Sequence, residues 1–203
     1  MQVLSFAPSG PITFPVTKFG GQPVWVGPAQ WPLSRSTGEP MRFIAQVRLP
    51  DSLRVGGQQM AYIFMTDYAD GTYDPDAGEN AIILQPAKFE PIVQCAASAM
   101  GPTLQRPIDV PGAKRREFED TELAVTLRDV EPGGPESEQT MSQFLGEPRW
   151  LQNEEVPRGG PWRFLMQIDS AEGQYDVNFG DAGVAYVFIA EDGTQARFFW
   201  QCM

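Results

Sequence analysis

Residues Phe19 to Val47 read FGGQPVWVGPAQWPLSRSTGEPMRFIAQV, and a looser copy of the same plan returns further along the chain. Gly21-Gln22-Pro23-Val24-Trp25 is answered by Gly146-Glu147-Pro148-Arg149-Trp150. Arg42-Phe43-Ile44-Ala45-Gln46-Val47 is answered by Arg163-Phe164-Leu165-Met166-Gln167-Ile168, and Ala61-Tyr62-Ile63-Phe64 by Ala185-Tyr186-Val187-Phe188. The order is kept and the spacings drift by a few residues, which loops absorb. Two pseudo-repeats, about 19–66 and 145–190, therefore predict an internally duplicated architecture.

Working outward, Phe43, Ala45, Val47 and Leu49 alternate with polar neighbours at the period of a half-buried strand, although Ile44 interrupts the polar face. Met60 to Met65 is a continuous apolar run and predicts a strand covered on both faces. Ala81 to Leu84 predicts a short strand paired with the preceding one. Leu123, Val125 and Leu127 predict a strand with one wet face. Val3 to Phe6, and Ile12 to Phe19 between prolines, predict edge or irregular strands. Val184 to Ile189, followed by Asp192-Gly193, predicts a terminal hairpin.

The best helix signal starts at Ser137, with Met141, Phe144 and Leu145 on one side and Gly146 and Pro148 as the stop. Residues 86–121 are broken by prolines into pieces too short to assign. The expected fold is a β-dominated α+β unit of mixed or antiparallel sheets with few short helices, in one domain over residues 1–203. The loop from Asp67 to Glu79 and the middle third are expected to lie outside the duplicated unit.

Composition narrows the function. The 203 residues suffice for a sizeable core. A net charge of −11 argues against nucleic acid, which is held by clustered Lys and Arg. The run Lys114-Arg115-Arg116 is offset by Glu117, Glu119 and Asp120. The chain has no histidine, which removes Ser-His-Asp and Cys-His catalysis and histidine-ligated metals. Cys95 and Cys202 lack zinc spacing and read as reduced, packed thiols. No secretory signal and no stretch of membrane-spanning length are read, so a cytoplasmic protein is expected, with no membrane partner. The carboxylates between Asp67 and Glu79 read as a solvated loop rather than a calcium loop, because Gly78 stands where a third ligand after Asp74 and Asp76 belongs. No metal and no cofactor are expected.

Four features together resemble the YwqG-like family of bacterial proteins, a domain of unknown function. They are Phe19-Gly20-Gly21-x-Pro23; Trp31-Pro32 followed by Pro40 to Val47; Leu165-Met166-Gln167-Ile168-Asp169; and Phe179-Gly180-Asp181-Ala182-Gly183 leading to an apolar strand and Cys202. The resemblance implies a β-rich, internally duplicated fold and carries no activity. The second Gly-Gly-x-Pro is reduced here to Leu145-Gly146-Glu147-Pro148.

Two functional readings follow. The first is a non-catalytic binding protein that recognises a protein partner, one of basic character, in a toxin-neutralising or stress-linked role. Its binding residues are Trp25, Trp31, Arg42, Gln46, Asp169 and Asp181, in a groove between the Phe19 to Trp31 stretch and the Phe179 to Gly183 turn. Tryptophans supply anchoring area, and a carboxylate selects a basic or hydroxyl-bearing group. Gln46 and Gln167 also have a structural reading, as a hydrogen bond across the repeat interface. The alternative is a carboxylate-based hydrolase of esters, phosphoesters or glycosides, drawing on Asp169, Asp181, Glu172, Asp176, Arg42 and Arg163.

Overall fold

The computed structural model describes residues 1–54, 57, 59–67, 71–86, 93–172 and 175–203. Its strands are β1 (Gln2–Pro8), β2 (Lys18–Gly20), β3 (Trp31–Pro32), β4 (Arg42–Arg48), β5 (Met60–Met65), β6 (Asn80–Gln85) and β7 (Cys95–Ala96), then β8 (Gln105–Ile108), β9 (Glu117–Asp120), β10 (Glu122–Asp129), β11 (Gln143–Phe144), β12 (Trp162–Asp169), β13 (Val184–Ala190) and β14 (Ala196–Gln201). Ten of them form one sheet in the order β14-β13-β12-β11-β1-β10-β2-β4-β5-β6. Every pairing in it is antiparallel, so the mixed alternative falls away. The two outer strands meet, and the sheet nearly closes. Asn80 Nδ2 donates to Phe198 O at 2.9 Å, Arg197 Nε to Asp76 Oδ1 at 3.1 Å, and Trp200 Nε1 to Thr72 Oγ1 at 3.3 Å.

The concave side encloses the main core, with Phe19, Ile44, Val47, Ile63, Leu165, Ile168, Phe179, Val187 and Phe198. The convex side carries two smaller cores, one around Trp31, Phe43, Tyr62 and Phe64 and one around Phe164, Tyr186, Phe188 and Phe199. β4 is thus covered on both faces from Phe43 to Val47, and is not the half-buried strand that its alternation predicts. The reason is a bulge: pairing with β5 skips between Phe43 and Ala45, which turns Ile44 into the main core behind Phe43. β12 has the same irregularity, between Phe164 and Met166. Bulges re-aim side chains in this way.

The loop after β2 and the loop after β11 lie over the convex cores, held by matching contacts. Gln46 Oε1 accepts the Val24 N–H and Gln167 Oε1 the Arg149 N–H, both at 2.8 Å. Tyr62 Oη donates to Val24 O and accepts from Val26 N, while Tyr186 Oη donates to Arg149 O and accepts from Leu151 N. Trp25 packs on Tyr62 with centroids 4.6 Å apart, Trp150 on Tyr186 at 4.8 Å. The sequence does not single out Gln85 and Gln201, which accept the Gly27 and Gln152 N–H groups in the same manner. Gln46 and Gln167 therefore each tie a nearby loop to a strand, instead of bonding across between β4 and β12.

Several expectations are corrected. β1 is central, paired along its whole length with β10 and at its start with β11. Pro8 is tolerated because it closes the strand. β10, from the middle third, separates β1 from β2 inside the sheet. Of the stretch from Ile12 to Phe19, only Lys18 and Phe19 enter a strand. The helix is Pro135–Glu138, with Gly134 as N-cap and Pro135 at its first position, while Phe144 lies in β11. A register partner on each side of Gln143 and Phe144 outweighs the helical spacing. The predicted hairpin and the pairing of β6 with β5 are observed. Tyr68, Ala69 and Asp70 of the acidic loop lie outside the described residues. Its Glu79 is buried, accepting from Ser34 Oγ at 2.6 Å, Thr66 Oγ1 at 2.7 Å and Ser36 N at 2.9 Å.

Candidate functional site

An open cleft of about 580 Å³ lies beside β2. One wall is the arm from Ser9 to Thr13, the other is Gly21 to Val24 with Thr103, and Lys18 and Asp120 to Glu122 form the floor. Lys18 stands opposite Gln46 on β4 and Ala124 on β10, which places its side chain under the cleft with 1% exposure. Its ammonium donates to Gln22 O at 2.8 Å, Ile12 O at 3.4 Å and Glu122 Oε1 at 2.5 Å. Three donors meet three acceptors.

Glu122 Oε1 also accepts the Ile12 N–H at 2.9 Å, so lysine and arm together orient the carboxylate. The other oxygen, Oε2, rests against the bare Cα of Gly21: a Cβ there would stand 2.4 Å from it. At Gly20 a Cβ would stand 2.1 Å from Thr121 O, and both glycines have left-handed φ, 65° and 62°. The Gly-Gly pair is thus required by the approach of β10. Gln22 fixes the far wall, exchanging hydrogen bonds with Gly101 O at 3.0 Å and Gly101 N at 3.1 Å. Thr103 Oγ1 donates to Gly21 O.

Chemically the cleft presents an oriented carboxylate whose charge is balanced by a buried lysine, a second carboxylate at Asp120, and apolar walls from Pro11, Ile12, Pro23 and Val24. Phe14, on the same arm, is 70% exposed. Such a surface accepts hydrogen bonds and covers apolar groups. Its volume is that of a small-ligand or side-chain pocket.

The structure distributes the residues singled out from sequence. Trp31 is fully buried and donates Nε1 to Met41 O at 2.8 Å. Trp25 is half-buried, donates to Ala99 O at 3.0 Å and roofs the convex core. Gln46 is fully buried, bonded to Val24 N and Val16 O, and so supports the cleft wall from behind. Arg42 is ion-paired with Asp67 and lies 4.0 Å from Asp176 Oδ2. Burial pushes the Asp67 carboxyl up, Arg42 opposes it and the Asp176 charge adds to it. Asp169 accepts the Ala171 N–H at 2.8 Å, and burial raises its carboxyl despite that bond. Asp181 is exposed, and its carbonyl accepts from Met203 N at 3.0 Å. The cleft lined by Gly21 to Val24 has Ser9 to Thr13 as its second wall, not Phe179 to Gly183. Among the described residues, no group of three or more Asp, Glu or Cys could hold a metal ion, and no helix is long and apolar enough to cross a membrane.

Sequence reasoning missed Lys18 and Glu122. The available signal was a lone lysine in the apolar stretch directly before Gly20-Gly21.

The chain belongs to the DUF1963 family, a domain of unknown function, whose profile matches residues 17–203. The match takes in Lys18, the glycine pair and Glu122, while β1 and the arm from Ser9 to Thr13 precede it. No curated protein matches the chain.

Proposed function

We propose that the chain is a single-domain, internally duplicated binding protein of the bacterial cytoplasm, YwqG-like in its finer kinship, that recognises a protein partner without catalysis. The observation that carries the reading is the Glu122 carboxylate, oriented by Lys18 and the Ile12 N–H on the floor of an open cleft with apolar walls. The group suited to it is a Lys or Arg side chain, or a hydroxyl, flanked by an apolar residue that settles on Ile12, Pro23 and Val24. The matched contacts of Gln46 with Gln167 and Tyr62 with Tyr186 support the duplication. The test is selection of displayed peptides on the wild type and on Glu122→Gln. The reading expects enrichment of basic-apolar sequences that the variant loses; equal enrichment on both, or none, overturns it.

A carboxylate-based hydrolase is the second reading, favoured by Asp67 and Asp176 on either side of Arg42 and by the raised Asp67 carboxyl. It requires turnover of an ester, phosphoester or glycoside that Asp67→Asn abolishes.

A further inference from the structure

The β8–β9 hairpin stands outside the large sheet, and β8 is the one described strand that pairs with β9. The backbone fixes what the other edge of β9 presents. Along an antiparallel pair, residues alternate between exchanging both hydrogen bonds and turning N–H and C=O away. Thr121 N donates to Leu104 O at 3.0 Å, so that step is a bonded one. Following the register from there, Arg106 and Glu119 are bonded, whereas Gln105 with Asp120 and Pro107 with Phe118 are not. Two facts agree with this phase. Pro107 has no N–H to exchange, and Gln105 O, turned away from β9, accepts from Asp176 N at 2.6 Å. Phe118 and Asp120 therefore direct their N–H and C=O groups to the open edge, and all four β9 residues are exposed.

The sequence about that edge is self-complementary in reverse. When Arg116-Glu117-Phe118-Glu119-Asp120 is laid antiparallel on a second copy with Phe118 facing Phe118, Arg116 faces Asp120, and symmetry repeats the pair. Arg116 already lies on the Phe118 face, with its guanidinium 5.7 Å from the ring centroid. On the opposite face Glu117 meets Glu119, and like charges so placed weaken a pair. Glu119, however, is held by Arg106 Nη2 at 2.5 Å, which offsets its charge. We propose that β9 pairs with β9 of a second copy about a two-fold axis at Phe118, joining two hairpins into a four-stranded antiparallel sheet. Such a contact is isologous and closes on itself. Its main-chain bonds are those of strand addition, and its small area makes it a reversible, concentration-dependent association.

Sedimentation equilibrium of the full chain from micromolar to millimolar concentration tests this. The wild type is expected to dimerise across that range. Asp120→Arg sets arginine against Arg116 and weakens the dimer about tenfold or more, and the double variant Arg116→Asp/Asp120→Arg restores it. Phe118→Pro removes an N–H directed at the edge while sparing the bonds to β8, and is expected to be monomeric with unchanged far-ultraviolet circular dichroism. A wild type that stays monomeric at millimolar concentration, an Asp120→Arg variant that dimerises like it, or a double variant that fails to recover overturns the proposal.

Discussion

Lys18 and Gln143 hold the same position in β2 and β11. Each stands opposite a glutamine of the next strand, Gln46 and Gln167, and each donates to the carbonyl four residues on, Gln22 O at 2.8 Å and Glu147 O at 2.7 Å. In β2 that place is taken by a charge, and Glu122 answers it.

Removing one member of this buried pair strands the other. Lys18→Met is expected to destabilise the fold by about 3–5 kcal/mol, and Lys18→Gln with Glu122→Gln together by clearly less. Urea denaturation of the two variants measures it; equal losses refute the pairing argument.

Tyr62 and Tyr186 are expected to respond alike. Burial pushes the Tyr62 hydroxyl up to about 12, so it remains a protonated donor at neutral pH. Tyr62→Phe takes the hydroxyl from Val26 N–H and Val24 C=O, and Tyr186→Phe takes it from Leu151 N–H and leaves Arg149 C=O with the longer 3.4 Å bond from Gln167 Nε2, at about 1–3 kcal/mol apiece. A wide gap between the two thermal melts would sink the equivalence of the loops.

Glu79 sets an acid limit. Burial alone would raise its carboxyl, but the bonds from Ser34, Thr66 and Ser36 outweigh burial and hold it below its ordinary 4.5. A depressed folded value means stability that is full above the unfolded value and is lost as pH falls through the folded one. Glu79→Gln is therefore expected to lower stability at neutral pH while losing less than the wild type on acidification below about 4.5. Denaturation midpoints taken across that range provide the check.

Burial pushes the Cys95 thiol up to about 11. Since the thiolate is the nucleophile, Cys95 in the folded protein is expected to react slowly with a thiol reagent at mildly alkaline pH and rapidly once urea unfolds the chain. Fast labelling of Cys95 in the native state would contradict its packing.

Much of the sheet was legible because its strands carry their own pattern. β5 and β13 are apolar throughout, and the Trp-Phe-Tyr order marks the strands β4 and β5, β12 and β13 and the loops that lie over them. What stayed hidden depends on partners far along the chain. β1 resembles an edge strand until β10 and β11 flank it. Gln143 and Phe144 continue a helical spacing that two neighbouring strands override. The cleft was partly in view through Gly20-Gly21 and Pro23, yet its charged floor joins residues 104 positions apart, and no local pattern encodes that.

The central place of β1 bears on how the chain acquires its structure. β4, β5 and β6 are consecutive neighbours in the sheet, and so are β12, β13 and β14, so each group can assemble from hairpin contacts that form early. β1 has no such neighbour: Gln2 pairs with Asp129 on one side and Phe144 on the other. Loops of that length must close before its hydrogen bonds form, so the strand is expected to dock late in assembly.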